Sequence, residues 1–405
     1  MARTRRRRLR RAGGLAAAAT AVALSAVTLP AHAAPEGTIR GAGGPGSVGG
    51  SYLVTLKEGV RAPSAAGRAL AARYGTRISH TYGTVLNGFA VHASERQARR
   101  LAADPGVASV VQDTRVTLDR NPAVTTRADP PSWGLDRIDQ AGLPLDGAYS
   151  APRSAGAGVT VYVIDTGVRT THRDFGGRAS HGWDFVDGDR TATDGNGHGT
   201  HVAATVAGTV LGVAKKAKVV SVRVLDDAGA STTARVVAGI DWVTRNARKP
   251  AVANLSLGGR YNAQLDAAVR ASVRSGVTYT VAAGNEGRSA ALGSPAGVRE
   301  AVTVGATDRG DAKSASSNHG SALDLFAPGV SIVSASHTGD TARVAYSGTS
   351  MAAPHAAGAA ALYLAARPRA TPAQVERALV SGASNGKVSG RGPGSPNKLL
   401  RVPRS

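Results

Sequence analysis

From Trp133 onward the chain alternates short β-branched runs with helical stretches, and this alternation restricts the fold more than any other feature. The runs are "VTVYVID", "VVSVRVL", "AVANLSL", "VTYTVAA" and "AVTVGA". Between them lie "HGTHVAATVAG", "TTARVVAGIDWVTRNA" and "AQLDAAVRASVRSG", whose apolar residues recur at helical spacing. Strands that are apolar on both faces, joined by crossover helices, specify a parallel sheet covered on both sides. The expected class is α/β, a three-layer α/β/α domain with a mainly parallel sheet. Functional residues in such folds gather beyond the carboxyl ends of the strands.

Upstream the pattern changes. Residues 1–33 read as a secretory signal peptide, with basic "MARTRRRRLRR", an apolar stretch and "AHA" at Ala31–Ala33 as a small-x-small cleavage site. The alternative is a signal anchor, against which the prolines and the "AHA" site argue. Residues 34–50 are Gly/Pro-rich and are expected to be a flexible segment. Residues 51–119 read as strand, helix, two strands, helix and strand, a small α+β domain of the split βαβ kind. Residues 120–132 form a polar linker, and residues 133–400 the main domain.

A net charge of +22 raises the possibility of a nucleic-acid partner. Seven arginines of that excess lie in Met1–Ala33, and no dense basic block interleaved with aromatics follows. No nucleic-acid partner is expected, and no membrane contact once the signal is removed. Cysteine is absent, which excludes disulfides, thiol nucleophiles and thiolate metal sites.

Four polar residues stand at strand ends or helix starts. Asp165 ends "VTVYVID", where a buried carboxylate is costly unless paired. His198 sits between Gly197 and Gly199 at the start of a helical stretch. Ser350, in "SGTSMAAPH", precedes an Ala-rich helix; the plain reading is a helix cap, the sharper one a nucleophile beside unpaired N–H groups. Asn285, in "AAGNEG", is a turn residue or a donor to a developing oxyanion. Together they form a chemical set. His198 takes the Ser350 proton, Asp165 orients the imidazole, and Ser350 N–H with the Asn285 amide binds the tetrahedral oxygen, each worth about 3 kcal/mol. A zinc pair of His198 with His201 lacks the glutamate and remaining ligands that it would need.

With "PSWGLDRIDQ", "NGHGTHVAATVAG", "AVANLSLGG", "LDLFAPG" and "GSPNKLL" in order, the chain from Trp133 to Leu400 resembles the subtilisin-like serine proteases, in particular their proteinase K branch and its aqualysin-like members. "YLVTLKEGV", "LNGFAVHAS" and "VASVVQD" resemble that family's inhibitory propeptide, of ferredoxin-like fold. The resemblance implies Asp165, His198 and Ser350 as catalytic triad and Asn285 in the oxyanion hole. It implies a substrate cleft lined by Ser256, Leu257 and Gly258 on one side and Ala282, Ala283 and Gly284 on the other. Protein and peptide substrates, broad specificity, a secreted monomeric enzyme and self-cleavage near Ala123–Asp129 follow as expectations, with the propeptide as intramolecular inhibitor.

The resemblance also implies structural calcium and no catalytic cofactor. One site would use Asp324 with the main-chain oxygens of Arg299 and Ala301; another would use Asp136, Asp139 and Gln140, joined by Asp146. For the second, carboxylates capping turns are the competing reading. Aqualysin-like enzymes carry disulfides, whereas the matching positions here are Gly195, Asp227, Ala291 and Ala322. An inactive binding protein of the same fold and a serine esterase are the alternative functions; an esterase of the nucleophile-elbow type needs its acid and histidine after the serine, and only His355 follows Ser350.

Overall fold

The alternation of residues 51–119 builds a curved sheet with helices on one face. In this computed structural model, which describes residues 35–118 and 132–402, the elements are β1 (Ile39–Arg40), β2 (Ser47–Leu56), α1 (Ala65–Arg73), β3 (Arg77–Tyr82), β4 (Gly88–His92), α2 (Glu95–Ala102) and β5 (Val107–Thr117). The strand order is β1-β5-β2-β4-β3, with β2 antiparallel to both β4 and β5. This is the ferredoxin-like arrangement. Ser64 caps α1 by accepting from Gly67 N–H, and Ser94 with Gln97 forms a reciprocal capping box on α2. Tyr52, Val54, Phe89, Val91, Leu101 and Val110 fill the space between sheet and helices.

Residues 35–50 depart from the expected flexible segment. Ile39–Arg40 pairs with Val110–Val111, and β2 begins at Ser47. Ile39 is buried in the small core, an anchor that a Gly/Pro count conceals. The proposed signal peptide and the processing region at Ala123–Asp129 lie outside the described residues.

The larger region contains α3 (Trp133–Asp139), β6 (Thr160–Asp165), β7 (Ala179–Asp184), α4 (His198–Ala207), β8 (Lys218–Arg223), β9 (Ala230–Thr232), α5 (Thr233–Asn246), β10 (Ala251–Leu255), β11 (Gly259–Arg260) and α6 (Ala263–Arg274). It continues with β12 (Thr278–Ala282), β13 (Gly293–Ser294), β14 (Val302–Thr307), β15 (Leu325–Pro328), β16 (Ile332–Ala335), β17 (Arg343–Tyr346), α7 (Thr349–Ala366), α8 (Pro372–Gly382), β18 (Ser384–Asn385) and β19 (Lys398–Leu399). Among the described residues the main sheet runs β18-β19-β15-β14-β12-β10-β6-β8-β7. Every pairing from β19 to β7 is parallel, and only β18 is antiparallel.

Strand β6 shows why both faces are apolar. Val161 and Val163 pack with α4 and α7 on one side, whereas Tyr162 and Ile164 pack with α5 and α6 on the other. All six β6 residues are buried, and Asp165, which closes the strand, is fully so. Helix α7 is largely apolar all round, with Ala at half its positions, and runs through the interior.

The two regions share one core. Leu53, Tyr82, Val85 and Val116 of the small domain join the cluster built on α5 and β8. Strand β5 continues past its own sheet to pair antiparallel with β9, and Thr117 bridges Gly258. Tyr82 Oη donates to the Ala234 carbonyl over 2.8 Å. Asp241 Oδ1 accepts from the Thr84 and Val85 amides, and Asp113 Oδ1 accepts from Ala234 N–H at the start of α5. Burial raises the Asp113 pKa, which these hydrogen bonds and that from Ser51 counteract. Replacing Asp113 by Ala leaves the Ala234 amide unpaired and should weaken the docked domain about five- to tenfold, a loss of roughly 1–1.4 kcal/mol. The onset of peptide hydrolysis during maturation measures this: it should come earlier in Asp113→Ala than in the parent.

Candidate active site

Asp165, at the carboxyl end of β6, has a fully buried side chain. Its Oδ1 accepts from Thr166 N–H and from His198 Nδ1, each at 2.7 Å. His198 opens α4 after Gly197, which has a positive φ of 104°. This arrangement fixes the imidazole through one nitrogen while its side chain retains 12% exposure.

Asp194 holds the start of that helix in place. Its Oδ1 accepts from Asn196 N–H, Gly197 N–H and Thr166 Oγ1, and its Oδ2 accepts from Thr200 N–H. Thr166 Oγ1 in turn accepts from Gly199 N–H over 2.9 Å. The residue following the carboxylate is thereby tied to the residue following the imidazole. Nothing in residue periodicity points to Asp194; its position before a Gly-rich helix start is the only sequence signal.

Ser350 is the second residue of α7, which Gly348 precedes at φ 140°. Its hydroxyl donates to the Ser256 carbonyl over 3.1 Å, and Ser256 Oγ donates back to the Ser350 carbonyl over 2.7 Å. Asn285 Oδ1 accepts from Thr349 N–H over 2.8 Å, which identifies that atom as the amide oxygen and the other as the NH2 nitrogen. One cavity is lined by Ser350 and Asn285 together with all six cleft residues, Ser256, Leu257, Gly258, Ala282, Ala283 and Gly284. The six residues expected to line a cleft thus border one cavity with Ser350 and Asn285.

Among the cavity residues that the sequence reading did not single out are Glu286, Arg288 and Asn318. Asn318 is buried; its Oδ1 accepts from the Glu286 and Arg288 amides, and its Nδ2 donates to the Ala283 carbonyl and to Glu286 Oε2. It braces the loop that carries Asn285 from a position more than thirty residues downstream, so no local pattern reveals it.

Two other histidines, His201 and His355, are buried and structural. His201 donates from Nε2 to the Ile332 carbonyl over 2.8 Å, packs on Tyr346 at 4.8 Å, and has its pKa pushed down to about 3 by burial. Burial likewise pushes His355 down to about 4, and its Nδ1 bonds the Met351 carbonyl within α7.

The candidate calcium residues divide into two kinds. Asp324 is largely buried, its Oδ2 accepts from Thr303 N–H, and burial pushes its pKa up to about 7. A carboxylate held from water in this way, with Glu376 raising it further, fits a cation partner. At the second place, Asp136 accepts from the Asp146 and Gly147 amides and Asp139 from Ser150 N–H. The Gln140 amide nitrogen faces the Gly142 and Pro144 carbonyls. These residues cap the loop, and among the described residues no group of three carboxylate or imidazole ligands is gathered at one point. Burial and the charges of Asp146 and Asp136 still raise Asp139.

Residues 156–398 match the subtilase family model, more than half of the chain, and residues 51–119 match the peptidase inhibitor I9 family. The chain belongs to the subtilase family. It is 45% identical over 395 residues to the extracellular serine proteinase of a Thermus strain, covering 92% of this chain and 94% of the relative. It is 49% identical over 329 residues to alkaline serine exoprotease A of Vibrio alginolyticus, covering 81% of this chain and 60% of that longer protein. The crystal structure of a cold-adapted subtilisin-like serine proteinase matches with a TM-score of 0.66 at 52% identity, covering 67% of this chain and 98% of the other. The protein is a serine endopeptidase precursor carrying an inhibitor domain, and neither the esterase nor the inactive alternative finds support.

Subtilase geometry here depends on close backbone approach. A Cβ on Gly199 would collide with the Gly167 carbonyl oxygen and crowd Thr166 Oγ1. Gly199→Ala should therefore displace His198 from Asp165 and cut hydrolysis of a chromogenic peptide at least tenfold, with a lowered melting temperature.

Proposed function

We propose that peptide-bond cleavage proceeds through Ser350, with His198 as general base and then general acid. Removal of the Ser350 proton by His198 lets Oγ attack the scissile carbonyl; Asp165 stabilises the imidazolium through the Nδ1 hydrogen bond. The developing oxygen anion would be met by the Asn285 NH2 group and by Ser350 N–H at the positive end of α7. His198 then protonates the leaving amine, giving an acyl-enzyme and the free amino product. Water attacks the acyl-enzyme by the same steps in reverse roles, releasing the acid and restoring Ser350.

The observation that carries this reading is the 2.7 Å Asp165–His198 bond in a fold whose Ser350 and Asn285 line one cavity. Substrates would lie along Ser256–Gly258 as an extended strand, the position approached by Thr117 of the inhibitor domain. Main-chain pairing reads little sequence, which supports broad specificity. Secretion is proposed from the basic and apolar start of the chain and from relatives named as extracellular, with cutting of the linker by the enzyme itself near Ala123–Asp129. The Ser350→Ala protein should accumulate as uncut precursor and fail to react with a serine-directed phosphonylating reagent. Normal maturation of that variant in purified form would overturn self-cleavage.

Calcium is proposed at Asp324 with the Arg299 and Ala301 main-chain oxygens, where a bound cation would neutralise the buried carboxylate. The sign of the pH effect tests this. Because the folded-state pKa of Asp324 is raised to about 7 from an ordinary 3.8, ionising it costs stability, and that cost grows as pH rises between those values. In chelator, the melting temperature should fall over that pH range; added calcium should restore it, and Asp324→Asn should flatten both responses.

A further inference from the structure

In a parallel sheet all strand amino ends lie at one pole, and in this protein the connections arriving there carry cations. Lys218 opens β8, Arg248 and Lys249 precede β10, Arg274 ends α6 before β12, and Arg369 precedes α8. All five are exposed. They border two grooves, of about 550 Å³ beside β6, β7 and α5 and about 470 Å³ beside α7 and α8, and neither is lined by any Asp or Glu. Arg248 lies in the first and Lys249 in the second, and the Thr160 amide of the first bonds the Pro250 carbonyl of the second over 3.2 Å. The two form one continuous basic face. Lys218, Arg248, Arg274 and Arg369 have no hydrogen-bonded or ion-paired side-chain partner among the described residues, so their charge is not spent within the fold.

We propose that this pole is a docking surface for an acidic polysaccharide. The first groove is bordered by half-buried Trp242 and by exposed Ser180 and Asn246, over a buried floor of Thr160 and Tyr162, the latter packed edge to face on Trp242 at 6.5 Å. An indole, a hydroxyl and an amide suit a sugar ring and its hydroxyl groups, while Lys218 and Arg248 suit carboxylate or sulfate substituents. Other anionic partners fit less well. An acidic peptide adding to the sheet would use edge strand β7, but a register shift between His181 and Trp183 breaks that edge. An anionic membrane needs apolar anchors, and the exposed large apolar residues Leu143, Val210, Tyr261 and Leu292 line neither groove. Duplex DNA is read by elements that project into its grooves, whereas this face is concave.

The location has a functional consequence. Thr160 starts β6 at this face and Asp165 ends it at the catalytic end, about 16 Å away. A bound polymer would hold the protease at an acidic matrix with its cleft turned outward.

Binding of the purified Ser350→Ala protein to heparin, measured across a salt series with neutral dextran as control, tests the proposal. Heparin should bind and dextran should not. Arg248→Ala/Lys249→Ala should lower heparin affinity about tenfold and reduce the slope of log K against log salt by roughly 2, one per neutralised contact. Arg190→Ala/Arg309→Ala, which removes equal charge from exposed positions outside both grooves, should change it less than twofold. In the active enzyme, saturating heparin should leave hydrolysis of a short peptide unchanged. Equal losses in the two double variants would show that net charge alone acts and overturn the site. Tighter binding of duplex DNA than of heparin through Arg248 and Lys249 would overturn the polysaccharide assignment.

Discussion

A carboxylate at the end of a fully buried strand is tolerable only where hydrogen bonds hold it, and Asp165 is held through one oxygen: Oδ1 accepts from the Thr166 amide and His198 Nδ1, while Oδ2 is buried with no hydrogen-bond partner among the described residues. Much of the surrounding structure exists to keep that arrangement. Gly199 lets α4 begin close against Gly167 after a Gly197 of positive φ, and Asp194 accepts from five separate donors to hold the beginning of the helix. His198 is therefore positioned by a hydrogen-bonded frame at the start of its helix.

The inhibitor domain uses the same materials differently. Its contacts concentrate on α5: Asp113 meets the first turn, Tyr82 meets the Ala234 carbonyl, and Asp241 reaches back to the loop at Thr84–Val85. These polar contacts surround a shared apolar cluster, so orientation comes from the hydrogen bonds and most of the affinity from burial. With orientation fixed, β5 is aimed along β9 toward Gly258. Inhibition is a matter of direction as much as of contact area.

The layers, the parallel sheet and the small α+β domain were legible because each depends on local periodicity: "VTVYVID" is apolar on two faces, and residues 51–119 read as strand, helix, two strands, helix and strand. Asp165, His198, Ser350 and Asn285 were legible because each stands where a strand ends or a helix begins. Asn318 and Asp194 were not, since their role lies in binding backbone amides that only the folded chain brings near them. Ile39 was hidden for a different reason: a single apolar residue among glycines produces no period, yet its partner strand supplies the pairing.

One corner of the molecule shows how charge takes over work that covalent links can perform. Arg223 joins Asp184, Asp187 and Asp227 at 2.6–2.8 Å, and Asp227 lies where any side chain on Gly195 would collide with it. With no cysteine in the chain, reducing agents have nothing to cleave there. Ionic strength does have a target: the half of the cluster formed by the exposed Asp187 and Asp227 is open to screening, whereas the Arg223–Asp184 contact is enclosed. Saline surroundings would loosen the rim of this corner and leave its centre closed.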